Sequence, residues 1–210
     1  MIQSSAAVAP SAPEGVETEY ERRIPYAASK DTVRGLFFNG VFSAVKTVGN
    51  EQSMRQCFVL LDDERFTRRF VDFSSYPVAD FLRLASAATQ VLAPQVGGLA
   101  EAQRRIGLQS IRDFFSSMAG KTLLLLSGNS PQRALSNLPA GYSTSVSYGS
   151  RQVTILGDTS ARVSFRSDLM PPLHTEGVLL GILHAVQAKN PQVRTQPNGL
   201  LDCDYELSWE

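Results

Sequence analysis

Two histidines and their neighbouring carboxylates are the side chains best suited to proton transfer in this sequence. His174 and His184 are the only histidines, and Asp168 and Glu176 lie near His174 in the chain. A histidine beside a carboxylate can act as an acid and a base near neutral pH. On one helix the histidines would lie about 15 Å apart, too far to share one metal ion. Haem needs only one axial histidine, so haem binding stays open.

Other motifs that could carry chemistry are incomplete. Gly120-Lys121-Thr122 is similar to the end of a phosphate-binding loop, but Phe115 stands where that loop has its first glycine. The acidic run Asp62–Glu64 lacks the alternation of a calcium loop and is typical of a solvated turn. Cys57 and Cys203 are too few for a disulfide framework. We therefore expect no metal site, no cofactor and no enzymatic activity.

The charge balance limits the classes of partner. Twenty basic and twenty acidic residues cancel, so no net field attracts nucleic acid. No apolar run approaches the roughly 20 residues of a membrane span, and the N-terminus lacks the features of a signal peptide. These observations predict a cytoplasmic protein. A net charge near zero also favours a surface buried in a homodimer or against a related protein partner.

The composition divides the chain into a tail and one domain. Residues 1–24 are rich in Ala, Ser, Pro and Glu without periodicity, which predicts a flexible N-terminal tail. Residues 25–210 form the predicted single domain. Apolar residues recur at helical spacing over much of its first part. The helices predicted there span residues 31–48, 51–61, 74–93, 99–118 and 130–138.

The last part of the chain shows the alternation of strands. Apolar and polar residues alternate in four runs, which lie at residues 142–148, 152–155, 161–166 and 203–209. A helix predicted over Pro172–Lys189 interrupts them, and Val193–Thr195 could pair as an edge. The predicted fold is α+β, with an N-terminal helical layer packed on a four-stranded antiparallel sheet and one helix inserted before the last strand.

The inserted helix carries a side of small residues that could meet a partner. Gly177 and Gly181 lie four residues apart and would let another surface approach closely. Either a helix of the same chain packs there, or a partner chain or flat ligand does. The predicted ligand or partner face consists of Leu173, His174, Gly177, Gly181 and His184.

Several motifs, taken in order, resemble an uncharacterised domain family abundant in myxobacteria. The resemblance covers residues 33–209, nearly everything except the tail. The motifs that carry it are Tyr76-Pro77-Val78, Phe81–Leu84, Ala102–Gly107, Phe114-Phe115, Asn137-Leu138-Pro139, Gly177-Val178-Leu179 and Tyr205–Trp209. That family is similar in turn to α+β domains associated with haem–nitric-oxide sensing, to 4-vinyl reductase domains and to TRAPP-like tethering subunits.

The resemblance implies a fold and a class of function. Those relatives bind small molecules or an acyl chain in an apolar pocket, or form dimers. The haem proteins among them rely on a proximal histidine and a Tyr-x-Ser-x-Arg motif. Tyr148-Gly149-Ser150-Arg151 is one residue shorter than that motif, so the resemblance does not imply haem here.

The leading hypothesis is a non-enzymatic signalling or interaction module that forms a dimer. An apolar small molecule could bind in a pocket between the helices and the sheet, lined by Phe37, Val41, Phe81 and Phe114. The alternative is a small-molecule or haem sensor, or an enzyme that uses His174 with Glu176 or Asp168.

Overall fold

The computed structural model of the protein describes residues 17–210, which form a helical part followed by a mixed part. The α-helices are α1 (Gly35–Val48), α2 (Glu51–Leu61), α3 (Val78–Val96), α4 (Leu99–Ser116), α5 (Met118–Ser127), α6 (Pro131–Ser136), α7 (Leu138–Ser145) and α8 (Pro172–Ala185). The strands are β1 (Thr32–Arg34), β2 (Ser75–Pro77), β3 (Ser150–Gly157), β4 (Ser160–Arg166), β5 (Gln192–Pro197) and β6 (Cys203–Ser208). Short 3-10 helices span Glu21–Tyr26 and Glu64–Thr67.

The main sheet has four antiparallel strands in the order β3-β4-β6-β5. On β4, Ala161, Val163 and Phe165 are fully buried and alternate with more exposed residues. Alternation of this kind places one face of a sheet on the core and leaves the other in water. The buried face belongs to the same apolar cluster as α8. The predicted α+β class is therefore confirmed.

One of the four predicted strands is wrong. Residues 142–148 alternate in polarity, yet most of them belong to α7 and the turn after it. Pro139 in the first turn favours the helix, because its missing N–H is not needed there. Hydroxyls of Ser143, Thr144 and Ser145 donate to backbone carbonyls three or four residues earlier, which satisfies these polar groups within the helix.

The fourth strand is β5, of which the sequence indicated only the edge Val193–Thr195. It pairs along the whole of β6, from Gln192 opposite Ser208 to Pro197 opposite Cys203. Consequently α8 precedes the last two strands rather than the last one alone.

The predicted helix ends agree in part with the structure. Helix α2 has the expected bounds, whereas α3 continues through Pro94 to Val96 instead of stopping before the proline. A proline so near the end of a helix removes only one hydrogen bond. Gly97, with φ of +92°, then ends the helix by donating its N–H to the carbonyl of Ala93. Helix α8 ends at Ala185, four residues before the predicted Lys189.

The buried apolar residues form two separate core clusters. The helical core joins α1, α2, α3 and the first half of α4, with Phe38 and Leu82 fully buried at its centre. The sheet core joins β4, β6, α8 and the second half of α4, with Phe165 and Leu183 fully buried. Helix α4 contributes to both cores, through Ile106 to the first and Phe114 to the second.

The N-terminal segment that the structure describes is packed against the domain. Most of the predicted tail, residues 1–16, lies outside the described residues. Residues 17–24 belong to the folded part, because Tyr20 and Arg23 are almost completely buried. Arg23 donates to the carbonyl of Leu200 at 2.9 Å, which ties this segment to the loop before β6.

No helix between residues 17 and 210 combines the length and apolar character needed to cross a bilayer.

Candidate functional site

An apolar cavity of about 90 Å³ lies where the two cores meet. The helical core contributes part of its wall, with Val33, Phe81, Tyr148 and Met170. The sheet core contributes Ile111, Phe114, Ala134, Leu138, Val178 and Ile182. Phe37 packs against both cores and also lines the cavity. A concave, mostly apolar space with a few polar groups is the usual form of a small-molecule site.

Most polar side chains in the wall satisfy one another or the backbone. Ser110 donates to the carbonyl of Ile106 at 2.9 Å, and Ser127 to that of Leu123 at 2.7 Å. Ser145 donates to the carbonyl of Gly141, and Asn137 donates to the hydroxyl of Ser127. These groups therefore keep the wall apolar, because their donors already have acceptors within the protein.

His174 is the titratable imidazole among the polar groups of the wall. Its side chain is 4% exposed and lines the cavity near the start of α8. The ring lies edge-on to the rings of Phe81 and Tyr20, at centroid distances of 6.3 and 5.9 Å. Its Nδ1 is 2.8 Å from the hydroxyl oxygen of Tyr20. Among the described residues, no hydrogen bond is recorded for Nε2.

The protonation of this pair follows from burial. Burial lowers the pKa of His174 to about 4 and raises that of Tyr20, so both are neutral at physiological pH. The Thr89 hydroxyl opposes the rise in the pKa of Tyr20, as a group that donates to the phenol oxygen does, so the proton of Tyr20 has Nδ1 as its acceptor. A buried donor without an acceptor is costly, so Tyr20 donates to Nδ1. The proton of the neutral imidazole is then on Nε2.

Tyr20 is a site residue that the sequence analysis missed. It lies in the segment assigned to the tail and is 154 residues from His174 along the chain. The segment is held by Thr18, which donates to Ser86 of α3 at 2.9 Å, while Ser86 donates to Glu21. No periodicity could have indicated this contact; the only signal is an aromatic residue near Arg23 in an otherwise small and polar stretch.

The carboxylates proposed as partners of His174 have other partners in the structure. Glu176 pairs with Arg104 of α4 at 2.7 Å and accepts from Thr195 of β5 at 2.8 Å. Asp168 pairs with Arg151 at 2.9 Å. Neither carboxylate forms a hydrogen bond with the imidazole, so an acid–base pair involving His174 is not assembled.

The Arg151–Asp168 ion pair lies behind the cavity wall. Both side chains are about 95% buried, with exposures of 4% and 5%. The guanidinium lies 4.6 Å from the ring centre of Tyr142 and 5.4 Å from that of Tyr148, two residues that line the cavity. Burial raises the pKa of Asp168, and the charge of Arg151 opposes that shift. The pair joins β3 to the loop after β4 beneath the cavity.

The remaining predicted site residues are distributed over several environments. Phe37, Phe81 and Phe114 line the cavity, whereas Val41 is fully buried in the helical core. Leu173 is partly buried and His184 is exposed. Gly177 and Gly181 face α4 of the same chain, the first of the two alternatives for this side of the helix. A methyl group at Gly177 would overlap the carbonyl oxygen of Arg104, and one at Gly181 the side chain of Ile111.

Close packing of α8 on α4 predicts that alanine at Gly177 destabilises the protein, whereas alanine at Gly141 of α7 does not. We expect Gly177→Ala to lower the free energy of unfolding by about 1–3 kcal/mol, because the added methyl group meets rigid backbone. Gly141→Ala serves as the control, since its methyl group would meet only side-chain carbons, of Leu123 at 3.4 Å and of Phe114 at 4.0 Å. Its higher helix propensity should make that variant neutral or up to about 1 kcal/mol more stable. Urea unfolding of both variants measures the difference, and equal stabilities would contradict the packing described.

The cysteines and acidic residues offer little further chemistry. Cys57 and Cys203 are buried free thiols, and burial raises the pKa of each. Across residues 17–210, no three His, Cys, Asp or Glu side chains converge closely enough to hold a metal ion. The cavity is therefore the strongest candidate site in the described part of the chain.

Comparison with known families gives one match. The model of a family described as "Protein of unknown function (DUF2378)" matches residues 27–210. The Tyr20 segment lies before the start of this match. No curated protein matches the chain in sequence.

Comparison with solved structures finds the H-NOX fold. A crystal structure of an H-NOX protein from S. oneidensis in the Fe(II)NO state is 14% identical, covers 84% of this chain and 99% of its own, and has a TM-score of 0.67. The Fe(II) unliganded H-NOX protein from K. algicida is 9% identical, with coverages of 84% and 96% and a TM-score of 0.67. An NMR structure of a Shewanella oneidensis H-NOX domain in the Fe(II)CO state has 14% identity, coverages of 84% and 98%, and a TM-score of 0.64. At these identities the likeness establishes the fold.

One similar structure was solved to probe the function of heme distortion in the H-NOX family. This raises the question of whether the cavity of the present protein fits haem. Its volume of about 90 Å³ is well below the roughly 300–1,000 Å³ of pockets for drug-sized ligands. His174 carries its proton on Nε2 and so has no lone pair there for iron. Arg151, the buried cation near the wall, is already paired with Asp168 rather than available for a propionate. The residues present do not fit haem.

Proposed function

This chain belongs to the DUF2378 family of proteins of unknown function, and from its cavity we propose that it is a non-enzymatic signalling module that binds a small apolar molecule. The observation that carries the proposal is the apolar cavity between the two cores, lined by Phe37, Phe81 and Phe114. An occupant would contact residues of both cores at once. Binding could therefore change how the helical part and the sheet are held together, which is the physical requirement for a sensor.

Two features favour a binding role over an enzymatic one. The carboxylates of Glu176 and Asp168 are paired with Arg104 and Arg151, so neither is free to act as a base for His174. The wall serines already donate to backbone carbonyls, so no nucleophile is activated by a neighbouring base.

The proposal includes a cytoplasmic homodimer. Its support is a row of exposed apolar residues on α5, where Met118, Leu125 and Leu126 are 76%, 82% and 65% exposed. Their spacing of seven and eight residues puts them on one side of the helix. Apolar residues grouped on an outer surface often mark an interaction surface, and a second copy of the chain is the proposed occupant.

Native mass spectrometry and unfolding measurements test this proposal on the full chain. We expect the mass of a dimer, no stoichiometric complex after incubation with haemin, and stabilisation by toluene. A ligand that binds only the native state adds about 2.7 kcal/mol at a hundred times its dissociation constant. Monomer mass would contradict the dimer, and a complex of one haemin per chain would contradict a haem-free site.

A cavity-filling variant provides the matched control. Ala134 is buried in the cavity wall on α6, so Ala134→Leu should occupy part of the space. We expect stabilisation by toluene to disappear in this variant while the fold remains. If toluene stabilises neither protein, or both equally, the cavity is not the binding site.

A further inference from the structure

His174 gives the cavity a hydrogen-bond donor that the protein itself does not use. The Tyr20 hydroxyl, 2.8 Å from Nδ1, occupies one ring nitrogen, and the edge-on contacts with Tyr20 and Phe81 fix the orientation of the ring. The side chain is buried and lines the cavity, and the structure records no partner for Nε2 within residues 17–210. An N–H that faces an apolar cavity without an acceptor is costly, and a ligand can remove that cost.

The backbone of His174 is also fixed in position. A methyl group at Gly107 of α4 would overlap the carbonyl oxygen of His174, so the two helices are in direct contact at this point. Helix α4 thus fixes the backbone of His174, and the Tyr20 segment fixes its imidazole through Nδ1. A donor held in this way discriminates among ligands, because it cannot turn away from one that lacks an acceptor.

We propose that the ligand of this cavity is a small apolar molecule with a carbonyl oxygen, which accepts a hydrogen bond from Nε2–H of His174. The apolar wall binds the hydrocarbon part, and the imidazole selects for the acceptor. Since the hydroxyls of Ser110, Ser127 and Ser145 already donate to backbone carbonyls, they contribute little to this selection. This inference rests on the proposed function, for which it names the ligand class.

Two probes of the same shape test the inference. Cyclopentanone and methylenecyclopentane differ in one atom group, a carbonyl oxygen against a methylene. Titrations of the ¹⁵N-labelled full chain, followed by NMR, give both dissociation constants. We expect cyclopentanone to bind about tenfold more tightly, the ratio that one net hydrogen bond provides. The histidine ¹⁵N shifts should also show the proton of His174 on Nε2 in the free protein.

Two variants separate the donor from its surroundings. The double variant Tyr20→Phe/His174→Phe removes both hydrogen-bonding partners without leaving one unpaired, and the tenfold preference should disappear while both probes still bind. Tyr26→Phe removes a hydroxyl from a tyrosine that is 57% exposed and does not line the cavity, so it should keep the preference.

The possible results distinguish this inference from the proposed function. Equal binding of the two probes by the unmodified chain, or a preference that survives in the double variant, would overturn the role of His174 and leave the cavity as a binding site. Failure of both probes to bind would contradict the proposed function itself. If the double variant does not fold, the ¹⁵N shifts still decide, because a proton on Nδ1 would overturn the inference.

Discussion

Asp168→Asn is expected to lower the free energy of unfolding by about 3–5 kcal/mol, because it leaves the guanidinium of Arg151 buried without its counter-charge. Asparagine keeps nearly the same shape, so the loss measures the charge rather than a cavity. Arg151 cannot move into water, since its side chain is 4% exposed and lies against the rings of Tyr142, Tyr148 and Phe165. Its Nε is already buried without a partner. Urea unfolding at neutral pH gives the difference.

Two controls show whether burial is the cause. Replacing both partners, as Arg151→Met with Asp168→Leu, should restore most of the lost stability, since no unpaired charge remains. Arg162 and Glu206 form a pair at the same distance of 2.9 Å on the wet face of the sheet, where they are 48% and 37% exposed. Glu206→Gln should cost no more than about 1 kcal/mol. Similar losses for Asp168→Asn and Glu206→Gln would show that burial does not strengthen the inner pair.

The second large effect is a dependence of stability on pH that originates in His174. Its pKa is about 4 in the native protein and 6.5 as the reference for the unfolded chain. Between these values the unfolded chain binds a proton that the native chain does not, so the free energy of unfolding falls as the pH is lowered. At 1.36 kcal/mol per pKa unit, the loss from pH 6.5 to 4 totals about 3 kcal/mol. Above pH 6.5 this contribution is constant.

The measurement is a comparison between two proteins, because carboxylates also titrate in this range. Stability is measured from pH 7.5 to 4 for the unmodified chain and for Tyr20→Phe/His174→Phe, which has no imidazole at this position. The difference between the two curves should change by about 3 kcal/mol between pH 6.5 and 4. Parallel curves would mean that His174 has the same pKa in the native protein as in the unfolded chain, and so is not shielded from water.

The sequence predicted elements well where one physical signal dominated. Helix α2 has the predicted bounds because Asn50 caps its start by accepting from the N–H of Ser53, and Asp62 ends it in the left-handed conformation. Strand β4 was predicted because Ala161, Val163 and Phe165 alternate cleanly. The run at residues 142–148 was misassigned because serine and threonine suit a wet strand face and also helix positions where their hydroxyls bond back to carbonyls.

The candidate site was predicted less completely, since its parts come from distant stretches of chain. Phe37, Phe81 and Phe114 could be proposed as lining residues because apolar residues at helical spacing turn inward. The partner of His174 could not, because Tyr20 lies in a segment whose composition favours disorder and whose structure depends on contacts with Ser86 and Leu200. Tertiary contacts of that kind leave no local pattern. The buried Arg151–Asp168 ion pair could not be predicted either, because it depends on the register of β3 and β4. In that register Arg151 lies opposite Phe165.

The separation of the buried residues into two cores has a consequence for how the protein unfolds. Contiguous clusters of this size can open as separate cooperative units, each with its own free energy. The cores share α4 and the packing of Phe37, and the cavity lies between them. An occupant would supply contacts that neither cluster has alone, so it would raise the cooperativity between them. Amide hydrogen exchange in the helical core would then slow when a molecule binds in contact with the sheet core. The bound state would differ from the free state in rigidity as much as in shape.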